Sequence, residues 1–371
     1  MRIAVNTRLL IPNKLDGIGW FTHEVMQRLV KMRPEDEFLF LFDRAFSDEF
    51  IYGENVWAKE LFPQARHPLL YRMYFEYSIP KALKQWKADL FFSPDGFLST
   101  KTRVPQIPVI HDINFEHRPE DLPKSYASYY RSYFPRFAQK AEKIITVSDF
   151  SKKDISDTYK IDSAKIHVAH NGCNTAYRPL TSVEKMGARG RFADNKPYFI
   201  FIGNFSFRKN IHGIVKAYDQ YRRTGGTSKF VFVGNPLWHY NEMDDALASS
   251  MYADDIIFPG RLEIEDLVLA LGGSQALLFP SYFEGFGIPV LEAFAAGTPV
   301  ICSNVTSLPE VAGTAALYAE PEDIEGLSVH MHTIEKNNST SAKLIHQGIQ
   351  QKNKFSWDST ANKVNDTLFS L

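Results

Sequence analysis

Short apolar runs alternate with stretches of helical period along this chain. Residues 2–7, 38–42, 89–93, 107–110, 143–148 and 166–169 are apolar or β-branched runs of four to six residues. They are too short for helices and lack the apolar–polar alternation of a half-solvated strand, so they predict strands covered on both faces. Helical patterns stand between them, as at 20–31. Strand and helix taking turns in this way imply a parallel sheet with helices on both sides. The first sheet is complete near His170, Asn171 and Gly172. Residues 174–196 are polar and read as irregular, with Gly187 and Gly190, and mark a domain boundary. The pattern then restarts with strands at 198–203, 230–234, 256–258, 276–279, 298–302 and 316–318, and helices from 211 and over 263–271. The expected organisation is a first domain over 1–180, a second over 190–355, and a last helix over 356–371. The 371 residues suit two domains of about 150 residues each.

Four places carry candidate chemistry. The longest is SYFEGFGIPVLEAFAAGTPV at 281–300. It reads as a glycine-bearing loop and a helix, because Pro289 suits a first helical turn and Gly297 a stop. A helix N-terminus presents unpaired N–H groups and partial positive charge, which favours an anion. Glu284 lies in the loop, ahead of Gly285 and Gly287, where backbone can approach a ligand closely. Glu292 is expected in the first turn, where an acid also suits the helix dipole. At 109–112, VIHD places His111 at a strand's carboxyl end, the position where open α/β sheets bind ligands, with Asp112 able to orient it. At 203–210, Arg208 and Lys209 precede a helix start, opposing the dipole unless an anion arrives. At 17–19, Gly17 and Gly19 open a helix. Thr22 breaks the dinucleotide fingerprint there, and the loop from the strand is too long for it.

The stretch EGFGIPVLE at 284–292 resembles the E-x7-E signature of the GT4-type retaining glycosyltransferases, and the likeness runs on through Ala293, Ala296, Gly297, Thr298, Pro299 and Val300. The resemblance implies an α/β architecture of the GT-B kind, in which two Rossmann-like domains with parallel sheets face a central cleft. The last helix, opened by Trp357, would cross back to the first domain. It implies that Glu284 contacts the donor sugar and that Glu292 holds the ribose. The backbone of Gly285, Phe286 and Gly287 would meet sugar and diphosphate. Arg208 and Lys209 together would clamp the diphosphate, His111 would stand by the sugar, and Gly17 and Gly19 would face the donor. Ser148 and Asn171 end strands on the same side, and Gly260, Arg261 and Leu262 stand where the family cups the base. The implied activity is hexosyl transfer from a nucleoside-diphosphate sugar to a glycan or lipid-linked saccharide, with retention. The first half looks most like bacterial mannosyltransferases of polysaccharide assembly, which points to GDP-mannose. Two rival readings share these residues: an epimerase or phosphorylase on the same fold, and a non-catalytic nucleotide-sugar sensor.

Composition narrows the picture further. Net charge is −1, which gives no field for nucleic acid. No Asp-X-Asp occurs, so neither a bridging metal nor any cofactor beyond the donor is expected. Cys173 and Cys302 lack metal-ligand spacing and suit a reducing cytoplasm, or simply inert core thiols. The first ten residues are too polar for a signal peptide, and no apolar run reaches membrane-spanning length. Lys and Arg outnumber Asp and Glu by 26 to 22 over 1–180 and fall short, 16 to 21, in the rest. Residues 66–87 and 124–143 mix aromatics with cations. They fit amphipathic helices with aromatic core faces, with a kink at Pro135, and also allow peripheral contact with the inner membrane face or a grip on a lipid-diphosphate acceptor.

Overall fold

A computed structural model describes residues 1–236 and 241–370. The chain forms two compact units, one of Met1–Gly172 with Ser356–Leu371, the other of Cys173–Phe355.

The first unit has strands β1 (Arg2–Asn6), β2 (Glu37–Phe42), β3 (Val56–Glu60), β4 (Leu90–Ser93) and β5 (Gln106–Pro108), all parallel in the order β3-β2-β1-β4-β5. A parallel pair, β6 (Ile144–Thr146) and β7 (Ile166–Val168), continues from β5 through a Val109–Ile145 bridge. The sequence pattern misses β3. Of VWAKE only Val56 is buried, because this is the edge of the sheet and one flank faces water. The order reverses between β1 and β4, so the loops after those strands lie side by side.

The helix Trp357–Phe369 belongs to this unit. Ser356 caps it, Trp357 lies edge-on to Phe21 with centroids 6.2 Å apart, and Asp358 accepts from Arg28 Nε at 2.6 Å. A Cβ on Gly172 would stand 2.3 Å from the Trp357 nitrogen, so the helix start rests on bare backbone.

The two aromatic–basic segments form one core. Residues Pro68–Met73, a π turn Tyr74–Ser78 and Ile79–Trp86 make a continuous helical stretch burying Tyr71, Tyr74, Phe75 and Ile79. The helix Lys124–Lys140 buries Tyr129, Phe134 and Phe137 and continues through Pro135. Both surround Phe97, with ring centroids 5.1 Å from Tyr71, 5.1 Å from Phe75 and 5.4 Å from Phe134. The aromatic core face is therefore present in both segments.

The second unit has β8 (Tyr198–Ile202), β9 (Lys229–Val233), β10 (Ile256–Gly260), β11 (Leu277–Phe279), β12 (Val300–Ser303) and β13 (Ala316–Ala319). They are parallel in the order β10-β9-β8-β11-β12-β13, the doubly wound arrangement. Two boundary expectations need correcting. The unit begins at Cys173 rather than after 180, because Leu180 packs on Gly272, where a Cβ would come within 2.6 Å of Leu180 Cγ. Residues 174–196 are not irregular throughout: Ser182–Ala193 is a helix started by a reciprocal capping box between Thr181 and Glu184. The signal, Thr-x-x-Glu, is in the sequence, and the helix tolerates the glycines at 187 and 190.

Candidate donor site

In the second unit the sheet order reverses between β8 and β11, and the sequence-predicted groups of this unit gather at the carboxyl ends of those two strands. After β8 the chain makes a single 3-10 turn, Phe207–Lys209, then enters the helix Ile211–Arg223 through Asn210, which is left-handed at φ 58°. Asn210 is fully buried. Its Oδ1 caps the helix by accepting from Gly213 N, and its Nδ2 donates to Pro280 O at 3.1 Å and Pro321 O at 2.6 Å. One side chain thus ties the cation-bearing turn to the loop after β11.

That loop carries Glu284, which is 5% exposed. Lys209 Nζ donates to its Oε1 at 2.5 Å, and Arg208 Nη1 donates to its Oε2 at 3.1 Å and to Phe283 O at 2.9 Å. The cations are therefore not waiting for an outside anion, as the sequence suggested. The protein supplies one, and a net positive charge remains across the three groups. Burial opposes the Glu284 charge, but Lys209 and then Arg208 outweigh it and hold the carboxyl below its ordinary value. Both carboxylate oxygens are engaged, which suits a positioning anion better than a nucleophile.

The backbone around Glu284 is braced by residues the sequence reading passed over. Thr306 Oγ1 accepts from Glu284 N at 3.2 Å, and Ser307 Oγ donates to Glu284 O at 2.9 Å and Phe286 O at 3.1 Å. Their only signal is a Thr-Ser pair before an apolar helix start. Phe286 turns its ring inward, 5.7 Å from Phe355, so its backbone is what the loop presents. Gly287 sits at φ 101°, and a Cβ there would come within 2.7 Å of Leu308 Cδ2, so glycine is required.

The helix that follows is Ile288–Ala295, and Glu292 is its fifth residue rather than a first-turn acid. Gly287 caps the helix and Pro289 lies in its first turn, as expected. A preference for the helix start therefore does not account for Glu292. Burial pushes its carboxyl up to about 7, with the Tyr177 hydroxyl opposing that shift only in part. This folded value lies above the 4.5 of an ordinary Glu, so the folded chain keeps a proton that the unfolded chain releases. The associated stability is complete below pH about 4.5 and is lost as pH rises to about 7, an effect of at most about 3 kcal/mol. Glu292→Gln should equal the parent protein in urea unfolding near pH 4.5 and exceed it near pH 8. Parallel stability–pH profiles for the two proteins would reject this assignment.

The first unit holds the remaining candidates. His111 follows β5, three residues beyond its end, and lies edge-on to Phe21 at 5.1 Å. Its Nε2 lies 2.8 Å from Pro94 O. A carbonyl only accepts, so the proton sits on Nε2 and Nδ1 is left as an acceptor. Burial lowers the imidazole's pKa despite that bond and the nearby Asp112, Asp16 and Asp95, so the ring is neutral at pH 7. Asp112 does not orient it, contrary to expectation: Asp112 Oδ1 accepts from Asn114 N at 3.0 Å. Gly17 and Gly19 open the helix Gly17–Met32, but Gly19 N–H donates to the capping Asp16 Oδ1 at 2.9 Å, and a Cβ on Gly19 would stand 3.0 Å from Leu9 O. Glycine at 19 thus answers to its own loop, while Gly17 is exposed. Ser148 caps the helix Asp149–Tyr159. Asn171 is buried, with Oδ1 lacking a hydrogen-bond partner among the described residues.

Comparison with known proteins finds matches for both units. The model of the family described as Glycosyltransferase Family 4 matches residues 15–177, and that described as Glycosyl transferases group 1 matches residues 182–351. The O-antigen chain mannosyltransferase B of Escherichia coli is 29% identical over 362 residues, covering 94% of this chain and 95% of that protein. The O-antigen chain mannosyltransferase RfbU of Salmonella typhimurium is 28% identical over 229 residues, 61% of this chain and 60% of its own. Anabaena HepE, solved with UDP-glucose, superposes with a TM-score of 0.78 at 16% identity, covering all of both chains, and so shares the fold. With two doubly wound units, each matched by its own family model, and a full-length mannosyltransferase relative, the chain belongs to the GT4-type glycosyltransferases of GT-B fold.

Proposed function

We propose that the protein moves a mannosyl unit from a nucleoside-diphosphate sugar, GDP-mannose in the first instance, to a glycan or lipid-linked saccharide during polysaccharide assembly, with retention of configuration. The observation that carries this reading is the convergence of Arg208 and Lys209 on Glu284 at the β8–β11 reversal, beside the Gly285 to Gly287 backbone. Negative charge builds on the leaving diphosphate as the sugar bond breaks. Two fixed cations and a braced row of amides meet that charge without having to reorganise. Arg offers a fork and Lys a point charge, a combination suited to neighbouring phosphates. Glu284, held on both cations, faces the sugar as an acceptor of hydroxyl hydrogens. Glu292 takes the ribose hydroxyls best as a carboxylate, so nucleotide binding draws its proton off. In the first unit, neutral His111 keeps Nδ1 as an acceptor suited to a sugar hydroxyl. Countercharge comes from the chain, so transfer should persist in chelator. The relatives' names as O-antigen chain mannosyltransferases support the mannosyl donor and a polysaccharide acceptor, and we extend the reading to work at the inner membrane face, where a lipid-linked acceptor is held. Among the described residues no helix is long and apolar enough to cross a membrane.

The test is transfer itself. Purified protein is given GDP-mannose or UDP-glucose with lipid-linked saccharide extracted from bacteria, and products are read by mass and proton NMR. A gain of one hexose with the donor's anomeric configuration is expected. Isomerised nucleotide sugar without acceptor would make the protein an epimerase. Tight nucleotide binding with no turnover would make it a sensor.

A further inference from the structure

The helical stretch that buries Tyr71, Tyr74, Phe75 and Ile79 is apolar on its outer face as well. Leu69 is 63% exposed, Met73 43% and Tyr77 61%. Spaced by four, they form one stripe. Ser78 Oγ donates to Phe62 O at 2.5 Å and seats Phe62, 83% exposed, at the end of that stripe. A surface helix with a single core face would carry polar residues here. The other aromatic helix does so: Lys124–Lys140 keeps its six aromatic rings buried or partly buried.

Cations predominate around the stripe, and the exposed acids Glu60 and Asp89 lie beyond its two ends in the chain. Arg66, Arg72, Lys81, Lys84 and Lys87 are exposed, and Lys101 places its Nζ 3.7 Å over the Tyr77 ring. The one carboxylate in residues 61–88 is Glu76, which is buried and accepts from Thr100 N, Thr100 Oγ1 and Ser99 Oγ. An apolar stripe flanked by cations, with no exposed acid between residues 61 and 88, matches a surface that is apolar beneath and anionic at its boundary. A second copy of the same face would set cation against cation.

We infer that Phe62, Leu69, Met73 and Tyr77 dock this chain on an anionic phospholipid surface, entering the headgroup–acyl boundary while the surrounding lysines and arginines meet lipid phosphates. This deepens the proposed function by naming the surface on which a lipid-linked acceptor is met, yet it can be tested without turnover.

The experiment is sedimentation of the full chain with vesicles of phosphatidylcholine alone, or with about one-third phosphatidylglycerol. Binding is expected on the anionic vesicles only, weakened by high salt. The exposed triple substitution Leu69→Ser, Met73→Ser and Tyr77→Ser should weaken it at least about tenfold, as should Arg72→Glu with Lys81→Glu, with unchanged melting temperatures. In Phe62→Trp, whose new ring reports its own surroundings, emission should gain a blue-shifted component on anionic vesicles. Failure of the parent protein to sediment, or equal binding by the triple variant, overturns the inference. So does a parent dimer, seen by analytical ultracentrifugation, that the triple variant abolishes. If vesicles bind and no sugar is transferred, the docking surface stands and the glycosyl-transfer assignment falls.

Discussion

Lys209→Ala should lower turnover by about 10²–10³, the usual loss when one preorganised donor to a developing charge is removed. Lys209 is 7% exposed, with its ammonium on Glu284 and 4.7 Å from the Phe279 ring centroid. Water screens it poorly there, so its field on a diphosphate is larger than that of a surface lysine. The substitution has a second consequence. Of the two cations that hold Glu284 ionised, Lys209 has the larger influence. With Arg208 alone, the Glu284 pKa rises towards its ordinary value, and the acid limb of the kcat/KM profile should move to higher pH. Lys209→Arg keeps the charge but not its position, so it should recover part of the rate and most of the pH profile. Near-normal turnover in Lys209→Ala, with donor saturating, would remove the clamp from the mechanism.

The strand–loop–helix at 277–295 is legible in the sequence because each step has its own local signal: an apolar run, two glycines, a proline, a stopping glycine. The two-sheet organisation is legible for the same reason, since strands buried on both faces leave continuous apolar runs. What escapes is whatever depends on partners distant in the chain. Arg208 and Glu284 are 76 residues apart and meet because β8 and β11 are neighbours at the sheet's reversal, and strand order is not written in local pattern. His111 is oriented by the Pro94 carbonyl, a group every residue has, so no side chain in the sequence marks its partner. The edge strand β3 escapes because VWAKE ends in exposed Lys59 and Glu60 and so lacks the continuous apolar run of a strand covered on both faces. Glu292 falls beyond the first turn because the helix begins at Ile288, behind the left-handed cap Gly287, and a proline within the first turn does not fix the first residue. Tyr177, which faces Glu292, lies in a segment whose chain neighbours predict nothing about it.

Glu284→Gln should have the larger effect on stability. The amide has nearly the same shape but leaves Lys209 and Arg208 without their carboxylate. Removing one partner of a buried ion pair costs about 3–5 kcal/mol, because the other charge stays desolvated. Lys209 is buried that deeply, whereas Arg208 has a quarter of its side chain exposed and can turn to water, so the low end of that range is expected. The pH dependence has a definite sign. The folded-state pKa of Glu284 lies below its unfolded value, so its contribution is present above about pH 4.5 and is lost as pH falls through the folded value. The parent protein and Glu284→Gln should therefore differ most near pH 7 and converge in acid. A nucleoside diphosphate offers the variant the anion it has lost. Saturating GDP or UDP should thus raise the melting temperature of Glu284→Gln by more than it raises that of the parent, for which about 100 times Kd adds about 2.7 kcal/mol. Turnover should still fall, because the diphosphate restores the charge but not the contact to the sugar. Equal ligand-induced shifts in the two proteins would mean that the cations at 208 and 209 serve Glu284 alone and that the diphosphate is held elsewhere.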